Sequence, residues 1–172
     1  MNLLKYTFVS ILSCTLLIGC GGKEEKKKEG FSYEKKESEP QKEVQNNDFA
    51  NVVISGNDLM KFDKTELRVE AGKKVKLTLR HTGKLDKNVM GHNFVLLKHG
   101  VDLMAFGIKA ASAKDTGYIP ADGKDDVIAY TKLIGGGETV VVEFDAPEPG
   151  EYEFLCSFPG HYAMMKGKFI VE

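Results

Sequence analysis

Short strand-like segments separated by turn residues run along the chain from about residue 50 to its C-terminal end. KVKLTLRH (74–81) and EYEFLC (151–156) alternate polar with apolar residues, which is typical of strands with one solvent-facing side. Turns such as EAGKK (70–74) and PEPGE (147–151) separate the segments. The strand-like segments are 50–55, 66–70, 74–81, 92–98, 126–131, 139–144, 151–156 and 168–172. Eight short strands without alternating helices predict an all-β, antiparallel β-sandwich.

One segment departs from this pattern. VDLMAFGIKAASAKDTG (101–117) is rich in Ala, Met and Leu, and it predicts one short helix inserted around 102–116, between two strands. The 172 residues are enough for one domain, which we expect to span 49–172. The formal net charge of −1 gives no reason to expect a nucleic-acid partner.

The N-terminus has the pattern of a processing signal. Lys5 precedes a short apolar stretch, and LIGC (17–20) resembles the lipobox of bacterial lipoproteins, in which the signal is cut before a lipidated cysteine. This pattern predicts a signal peptide at 1–19, a lipid on Cys20 and a membrane-attached protein of the bacterial cell envelope, with its domain in the periplasm or at the cell surface. An ordinary secretory signal cut near Gly19, or an uncleaved anchor, is the alternative.

The segment that follows Cys20 contains almost nothing that could pack. Residues 21–47 hold seven Lys and seven Glu, so they cannot bury enough apolar area to offset chain entropy. We therefore expect residues 20–48 to be the lipidated cysteine and a disordered tether, with a partly helical Lys/Glu segment as the alternative.

Processing would leave the mature chain with an unusual cysteine. Cys14 would be removed with the signal and Cys20 would be blocked, so Cys156 would be the one free thiol in an oxidising compartment. Such a thiol is buried and inert, catalytic, or held by a metal.

Nitrogen and thioether donors accompany this thiol. CSFPGHYAMM (156–165) places His161 five residues and Met165 nine residues after Cys156, in a loop favoured by Pro159 and Gly160. Two imidazoles, one thiolate and a weak thioether form the donor set of blue copper sites. Zinc could use the same thiolate and imidazoles, but a long bond to methionine would gain it little.

The fourth donor has to come from elsewhere in the chain. NVMGHNFVLL (88–97) offers His92 at the start of a predicted strand, and Gly91 before it would let the backbone approach a metal closely. His81 and His99 are the other histidines of the predicted domain.

These motifs resemble those of the azurins, which belong to the cupredoxin family of type 1 blue copper proteins. KNVMGHNFVLL (87–97), AYTKLIGGGE (129–138) and CSFPGHYAMMKG (156–167) recur in the family's order, and the resemblance extends over about 50–172. It implies an eight-stranded Greek-key sandwich. It also implies one copper ion with His92, Cys156 and His161 as strong ligands, Met165 as axial ligand, and the Gly91 carbonyl as a second weak contact.

The resemblance extends to residues around the ligands. Asn93 resembles an asparagine that ties the two ligand loops together, Ser157 takes the place of its partner, and the Phe158 N–H is expected to bond the Cys156 sulfur. His81 matches a buried histidine that is not a ligand, and His99 is expected at a solvated strand end. An apolar rim is expected around the exposed edge of His161. Its members are Met60, Leu85, Met90, Phe158, Pro159, Ala163 and Met164.

Two positions and a missing disulfide depart from the family pattern. Met164 stands where the family usually has leucine and is the rival of Met165 for the axial role. Phe94 replaces a core tryptophan, and the disulfide near the start of the domain is absent, so its stabilisation is missing.

The function that these features imply is the transfer of single electrons through Cu(I)/Cu(II), without catalysis, because four protein ligands leave no open position for a substrate. The expected partners are redox proteins such as a c-type cytochrome or a copper oxidase or reductase, and the domain is expected to be monomeric. Copper storage or delivery without redox duty is one alternative. The other is an enzyme with Cys156 as nucleophile, for which the sequence offers no oxyanion loop.

Overall fold

The computed structural model describes residues 48–172 of the chain, which fold mainly as β-strands. In this part of the chain, the strands are β1 (Phe49–Asn57), β2 (Lys61–Phe62), β3 (Glu66–Val69), β4 (Lys74–His81), β5 (Val95–Leu97), β6 (Val127–Tyr130), β7 (Thr139–Asp145), β8 (Gly150–Leu155) and β9 (Lys166–Val171). The α-helices are α1 (Lys87–Met90) and α2 (Leu103–Ala110), and short 3-10 helices lie at Lys114–Thr116, Ala121–Asp126 and His161–Ala163.

The strands form two sheets that enclose the main core. One sheet has the order β2-β1-β4-β7 and the other β3-β9-β8-β5-β6. The alternation in β4 has the predicted effect, because Val75, Leu77 and Leu79 are fully buried while Lys74 and Lys76 are exposed. The largest core cluster contains residues of both sheets, as expected for the predicted sandwich.

The prediction of a purely antiparallel sandwich was wrong for two strand pairs. β1 pairs with β4 in parallel, and β3 pairs with β9 in parallel. After β2 the chain enters the second sheet as β3 and then returns to the first sheet, so β4 runs in the same direction as β1. A crossover through the opposite sheet therefore takes the place of the helix that usually connects parallel strands.

The predicted helix around 102–116 is present but shorter. α2 ends at Ala110, and a separate 3-10 turn covers Lys114–Thr116. Asp102 caps α2, since its carboxylate accepts hydrogen bonds from the N–H groups of Met104 and Ala105 at 2.9 and 3.0 Å. The buried side of α2 packs on β5 and β8 through Leu103 and Phe106.

Two strand boundaries differ from the prediction at the functional end of the molecule. β5 begins at Val95 rather than at 92, and β8 ends at Leu155, just before Cys156. One-turn helix α1, capped by Asp86, was not predicted. Three of the residues that lie outside these strands, His92, Asn93 and Cys156, use their side chains in the site described below.

The predicted N-terminal features cannot be compared with the fold. The signal peptide at 1–19 and residues 20–47 of the predicted tether, with Cys20, lie outside the described residues, so they stay predictions. Within residues 48–172, no helix combines the length and the hydropathy needed to cross a bilayer.

Candidate metal centre

Three side-chain donors from two separate loops converge at one end of the sandwich. Sγ of Cys156 lies 3.9 Å from Nδ1 of His92 and 3.6 Å from Nδ1 of His161. The exposed fractions of Cys156, His92 and His161 are 0%, 0% and 3%. One donor atom of each residue lies within 4.8 Å of the others, so the three are placed to bind one metal ion.

The loop after β8 is closed by its own backbone. The N–H of Cys156 donates to the carbonyl of Met165 at 2.9 Å, and the N–H of Met165 donates to the carbonyl of His161 at 2.7 Å. Gly160 has φ +82°, a left-handed conformation that glycine adopts without steric cost. These bonds bring His161 back beside Cys156 and place Met165 at the base of β9.

The ring of His92 is oriented by hydrogen bonds on both its backbone and its side chain. Its backbone forms a bridge with Ile134, with both N···O distances at 2.9 Å. Nε2 lies 3.0 Å from the Asn57 carbonyl, which can only accept, so Nε2 carries the proton. Nδ1 is then the free lone pair, and it faces Cys156, as metal-ligating histidines require.

Gly56 is a residue of the site whose role the sequence analysis missed. A Cβ at this position would lie 2.7 Å from Cδ2 of the His92 ring and 3.1 Å from Cε of Met165. Gly56 therefore leaves the space that the His92 ring occupies. The signal available in the sequence was a glycine inside a strand, which often marks a close approach.

Burial keeps all three donors in their neutral forms around pH 7. It raises the pKa of the Cys156 thiol to about 12, although the N–H groups of Asn93 and Phe158 favour the thiolate. Burial lowers the pKa of His161 to about 4, and electrostatic repulsion from the nearby His92 and His81 rings also lowers it. Burial also lowers the pKa of His92.

This donor set fits copper. The buried thiol and the two neutral imidazoles present Sγ and two Nδ1 atoms to one another, so a soft cation that displaces the thiol proton could bind all three.

Met165 and Met164 lie on opposite sides of the loop. Met165 is fully buried and packs in one cluster with Cys156, Phe158 and Tyr118. Met164 is 56% exposed. The Gly91 carbonyl lies 3.8 Å from the Cys156 sulfur, on the His92 loop.

A buried hydrogen-bond network ties the two ligand loops together. Asn93 accepts from the N–H of Ser157 at 2.8 Å, and its Nδ2 donates to the Ser157 hydroxyl at 2.8 Å. The same hydroxyl donates to the carbonyl of Tyr118 at 2.7 Å, so a third segment joins the network. Tyr118 has φ +66°, an uncommon conformation for a non-glycine residue, and its role was not foreseen.

His81 supports the site from behind. Its ring stacks on His92 with centroids 4.3 Å apart. Its Nε2 donates to the Met90 carbonyl at 2.7 Å, while Nδ1 accepts from the N–H of Gly83 at 3.0 Å, so both ring nitrogens are engaged by the backbone. Asp58, which the sequence analysis did not single out, accepts from the N–H of Lys84 at 2.8 Å and fixes the same loop. His99 is exposed after β5, away from this group.

The residues of the apolar rim differ in exposure. Leu85 (41%) and Met164 (56%) are exposed. Pro159 and Ala163 are exposed as well, and Met60 and Met90 are partly buried. Phe158 is only 7% exposed, because its ring packs on Tyr118 and His161. The exposed Leu59 (69%) and Val89 (63%) lie on the same loops and were missed.

Comparison with known proteins places this centre in a family. Residues 49–172 match the family described as "Copper binding proteins, plastocyanin/azurin family". Azurin-1 of Alcaligenes xylosoxydans xylosoxydans is 50% identical over 122 residues, which cover 67% of this chain and 92% of that protein. Outer membrane protein H.8 of Neisseria meningitidis is 42% identical, over 67% of this chain and 63% of that protein.

A solved structure of similar fold is auracyanin A of Chloroflexus aurantiacus, described as a "blue" copper protein. It has a TM-score of 0.65 and 35% identity, and the match covers 72% of this chain and 99% of that one. The fold, the copper cofactor and the predicted resemblance are therefore confirmed, and this chain belongs to the plastocyanin/azurin family of copper-binding proteins, the cupredoxins that carry electrons with a blue copper ion.

Proposed function

We propose that the chain is a membrane-attached electron carrier of the bacterial cell envelope, with one type 1 copper ion held by His92, Cys156 and His161. The observation that carries this proposal is the convergence of one thiol and two imidazoles, all buried and with Nδ1 of both rings facing the sulfur. The copper ion would supply the Cu(I)/Cu(II) couple.

The weaker contacts would come from Met165 and the Gly91 carbonyl. Met165 is the favoured thioether because it is buried beside Cys156, whereas Met164 projects towards solvent. The carbonyl lies close to the sulfur on the His92 loop. Weak axial donors tune the potential of such a site without creating it.

The surrounding hydrogen bonds would hold the ligands in one arrangement in both oxidation states. Asn93 and Ser157 lock the two loops, and the N–H groups of Asn93 and Phe158 stabilise the thiolate. Ligands that do not move when the charge of the metal changes keep the reorganisation small, which favours fast transfer.

Electrons would leave through the edge of His161, whose ring packs on Phe158 of the apolar rim. Small apolar surfaces suit brief and weak docking of a redox partner. We propose as partner a c-type cytochrome or a copper oxidase or reductase. A separate catalytic role is not part of the proposal, since the ligand set leaves no place for a substrate.

Reversible voltammetry and metal analysis of the purified protein test this function. We expect one copper per chain and a one-electron wave that survives many cycles. A copper storage or delivery protein would instead give more than one copper per chain, or copper that is lost on reduction.

The membrane attachment rests on LIGC (17–20) and on a relative named outer membrane protein H.8. Mass spectrometry of the N-terminal peptide of the natively expressed protein tests it. We expect a chain that begins at a lipidated Cys20. An unmodified Cys20 would indicate a soluble periplasmic carrier.

A further inference from the structure

The loops around the apolar rim carry more positive than negative side chains. They comprise the connection from the end of β1 to the start of β2 (57–61) and the segments 82–91, 131–138 and 156–166, and together they are called the loop end. Five exposed lysines project from them, and there are three acids. The lysines are Lys61, Lys84, Lys87, Lys132 and Lys166.

The three acids are engaged by the backbone of the same loops. Asp58 accepts from the N–H groups of Lys84 and Leu85, at 2.8 and 3.3 Å. Asp86 caps α1, accepting from the N–H of Asn88 at 2.8 Å, and Glu138 accepts from the N–H of Gly135 at 2.9 Å. Their carboxylates are therefore directed at the fold rather than at the lysines.

None of the five lysines forms an ion pair with another described residue. On the sheets the pattern is different. Lys74 pairs with Asp145 at 2.8 Å, and Lys168 pairs with Glu151 at 2.6 Å. Five lysines without an ion pair to a described residue thus surround the route by which we propose that electrons leave.

A polar groove adjoins the rim. It lies between segments 84–87 and 135–138, is open to solvent and has a volume of about 410 Å³. Lys84, Asp86 and Lys87 stand on one wall, and Gly135, Gly136 and Glu138 form the opposite wall. Leu85 belongs both to the groove and to the apolar rim, so the two surfaces are continuous.

We propose that this loop end docks an acidic redox protein, one whose own redox group opens at an apolar spot surrounded by Asp and Glu side chains. Lys84 and Lys87, which are exposed beside the groove, would face carboxylates of that partner. Charge complementarity of this kind raises the association rate and fixes orientation, while the apolar contact keeps the complex short-lived. The inference rests on the proposed electron-transfer function and names the chemistry of the partner.

The first test measures docking without electron transfer. Hexacyanochromate(III) is a redox-inert, paramagnetic trianion, and it broadens the NMR signals of amides near which it binds. In the Cu(I) protein we expect broadening of amides in 84–87 and 135–138 at low salt, and loss of this broadening in Lys84→Glu. Lys98→Glu is the matched control, because Lys98 is exposed beyond the far end of β5. Broadening spread over the sheets, or unchanged in Lys84→Glu, would overturn the proposal.

The second test measures the rate at which the Cu(I) protein is oxidised. With anionic hexacyanoferrate(III), Lys84→Glu should slow oxidation by roughly threefold to tenfold at low salt, and salt should remove the difference. A cationic cobalt(III) phenanthroline oxidant should show the opposite effect. Equal rates for variant and wild type with both oxidants would contradict the proposal.

Two further outcomes distinguish a failure of the proposed electron-transfer function from a failure of the proposed acidic partner. If the protein shows no reversible redox wave although the anion binds at the loops, the proposed function fails and the inference built on it fails with it. If Lys84 is instead required for binding to vesicles of phosphatidylglycerol but not for reaction with the anionic oxidant, the loop end binds membranes, and the acidic partner is ruled out.

Discussion

The sandwich body, which consists of the two sheets and the core between them, is stabilised by buried apolar side chains, whereas the loop end also buries polar ones. In the body the buried side chains are apolar, as with Ile54, Leu77 and Phe169 at 0% exposure. At the loop end the buried residues include His92, Asn93 and Ser157, which are polar and hydrogen-bonded. Among the described residues, no buried side-chain nitrogen or oxygen lacks a partner.

This difference separates stability from function. Apolar packing in the body depends on volume, and it accepts substitutions that keep that volume. The loop end depends on particular donors at particular distances, so a change there alters the chemistry of the site even if the domain stays folded. Phe94 belongs to the body: it is fully buried, with its ring centroid 5.2 Å from that of Phe154.

The largest expected effect is on the stability of the body. Leu77→Ala should lower the free energy of unfolding by roughly 2–5 kcal/mol, because it leaves a cavity between the sheets. The optical spectrum of the copper-loaded variant should not change. Leu59→Ala is the control, since Leu59 is 69% exposed, and it should cost less than about 0.5 kcal/mol in chemical denaturation. A shifted spectrum in Leu77→Ala would show that body and loop end are coupled.

The next effect concerns pH and the loop end of the metal-free protein. The pKa of His161 is lowered to about 4 by burial, so the unfolded chain binds the proton more readily. Stability should therefore be complete above about pH 6.5 and fall as the pH drops towards 4. We expect a loss of roughly 1–2 kcal/mol after allowing for solvent screening.

Denaturation of the metal-free protein between pH 7 and pH 4 measures this loss. His161→Gln should reduce the pH dependence and leave the part due to His92, whose pKa burial also lowers, whereas His99→Gln, at an exposed site, should leave all of it in place. A metal-free protein whose stability rises on acidification would refute the assignment of a neutral, buried His161.

A charge in the apolar rim tests the route of the electron. Met90→Lys leaves all proposed ligands intact, but self-exchange brings two rims together and would bury like charges, so the rate should fall at least about tenfold at low salt. The reduction potential and the spectrum should stay the same. Val141→Lys, an exposed apolar position on β7, is the matched control, and NMR line broadening measures both rates. An unchanged rate in Met90→Lys would place the exit of the electron elsewhere.

The smallest expected effect distinguishes the two methionines. Met165→Leu should keep the blue colour and raise the potential, by on the order of 60 mV, which corresponds to a tenfold change in the redox equilibrium. Met164→Leu should change it much less, because that side chain faces solvent. Voltammetry of both variants measures the shifts, and a larger shift at Met164 would show that the axial role belongs to it.

Local sequence patterns predicted most of the fold and the centre of the site. The alternation in β4 and the spacing of Cys156, His161 and Met165 depend on residues close together in the chain, so they could be seen in the sequence. The parallel pairing of β1 with β4 could not, because it depends on the route of the chain through the opposite sheet.

Some site residues were not predicted for the same reason. Gly56 makes room for a ring 36 positions later, and Asp58 fixes a loop 26 positions away. Phe158 was expected at the surface, but it is covered by Tyr118, whose segment is joined to Ser157 only in three dimensions. Such approaches are set by tertiary packing, which local spacing does not encode.

The optical spectrum of the oxidised, copper-loaded protein tests the central claim most directly. If Cys156, His92 and His161 bind copper together, an intense thiolate-to-Cu(II) band should appear towards the red end of the visible range. Cys156→Ser should abolish it, while Ser157→Thr, which keeps the hydroxyl, should retain it. A colourless wild-type protein with Cu(II) bound, or a blue Cys156→Ser variant, would contradict the account.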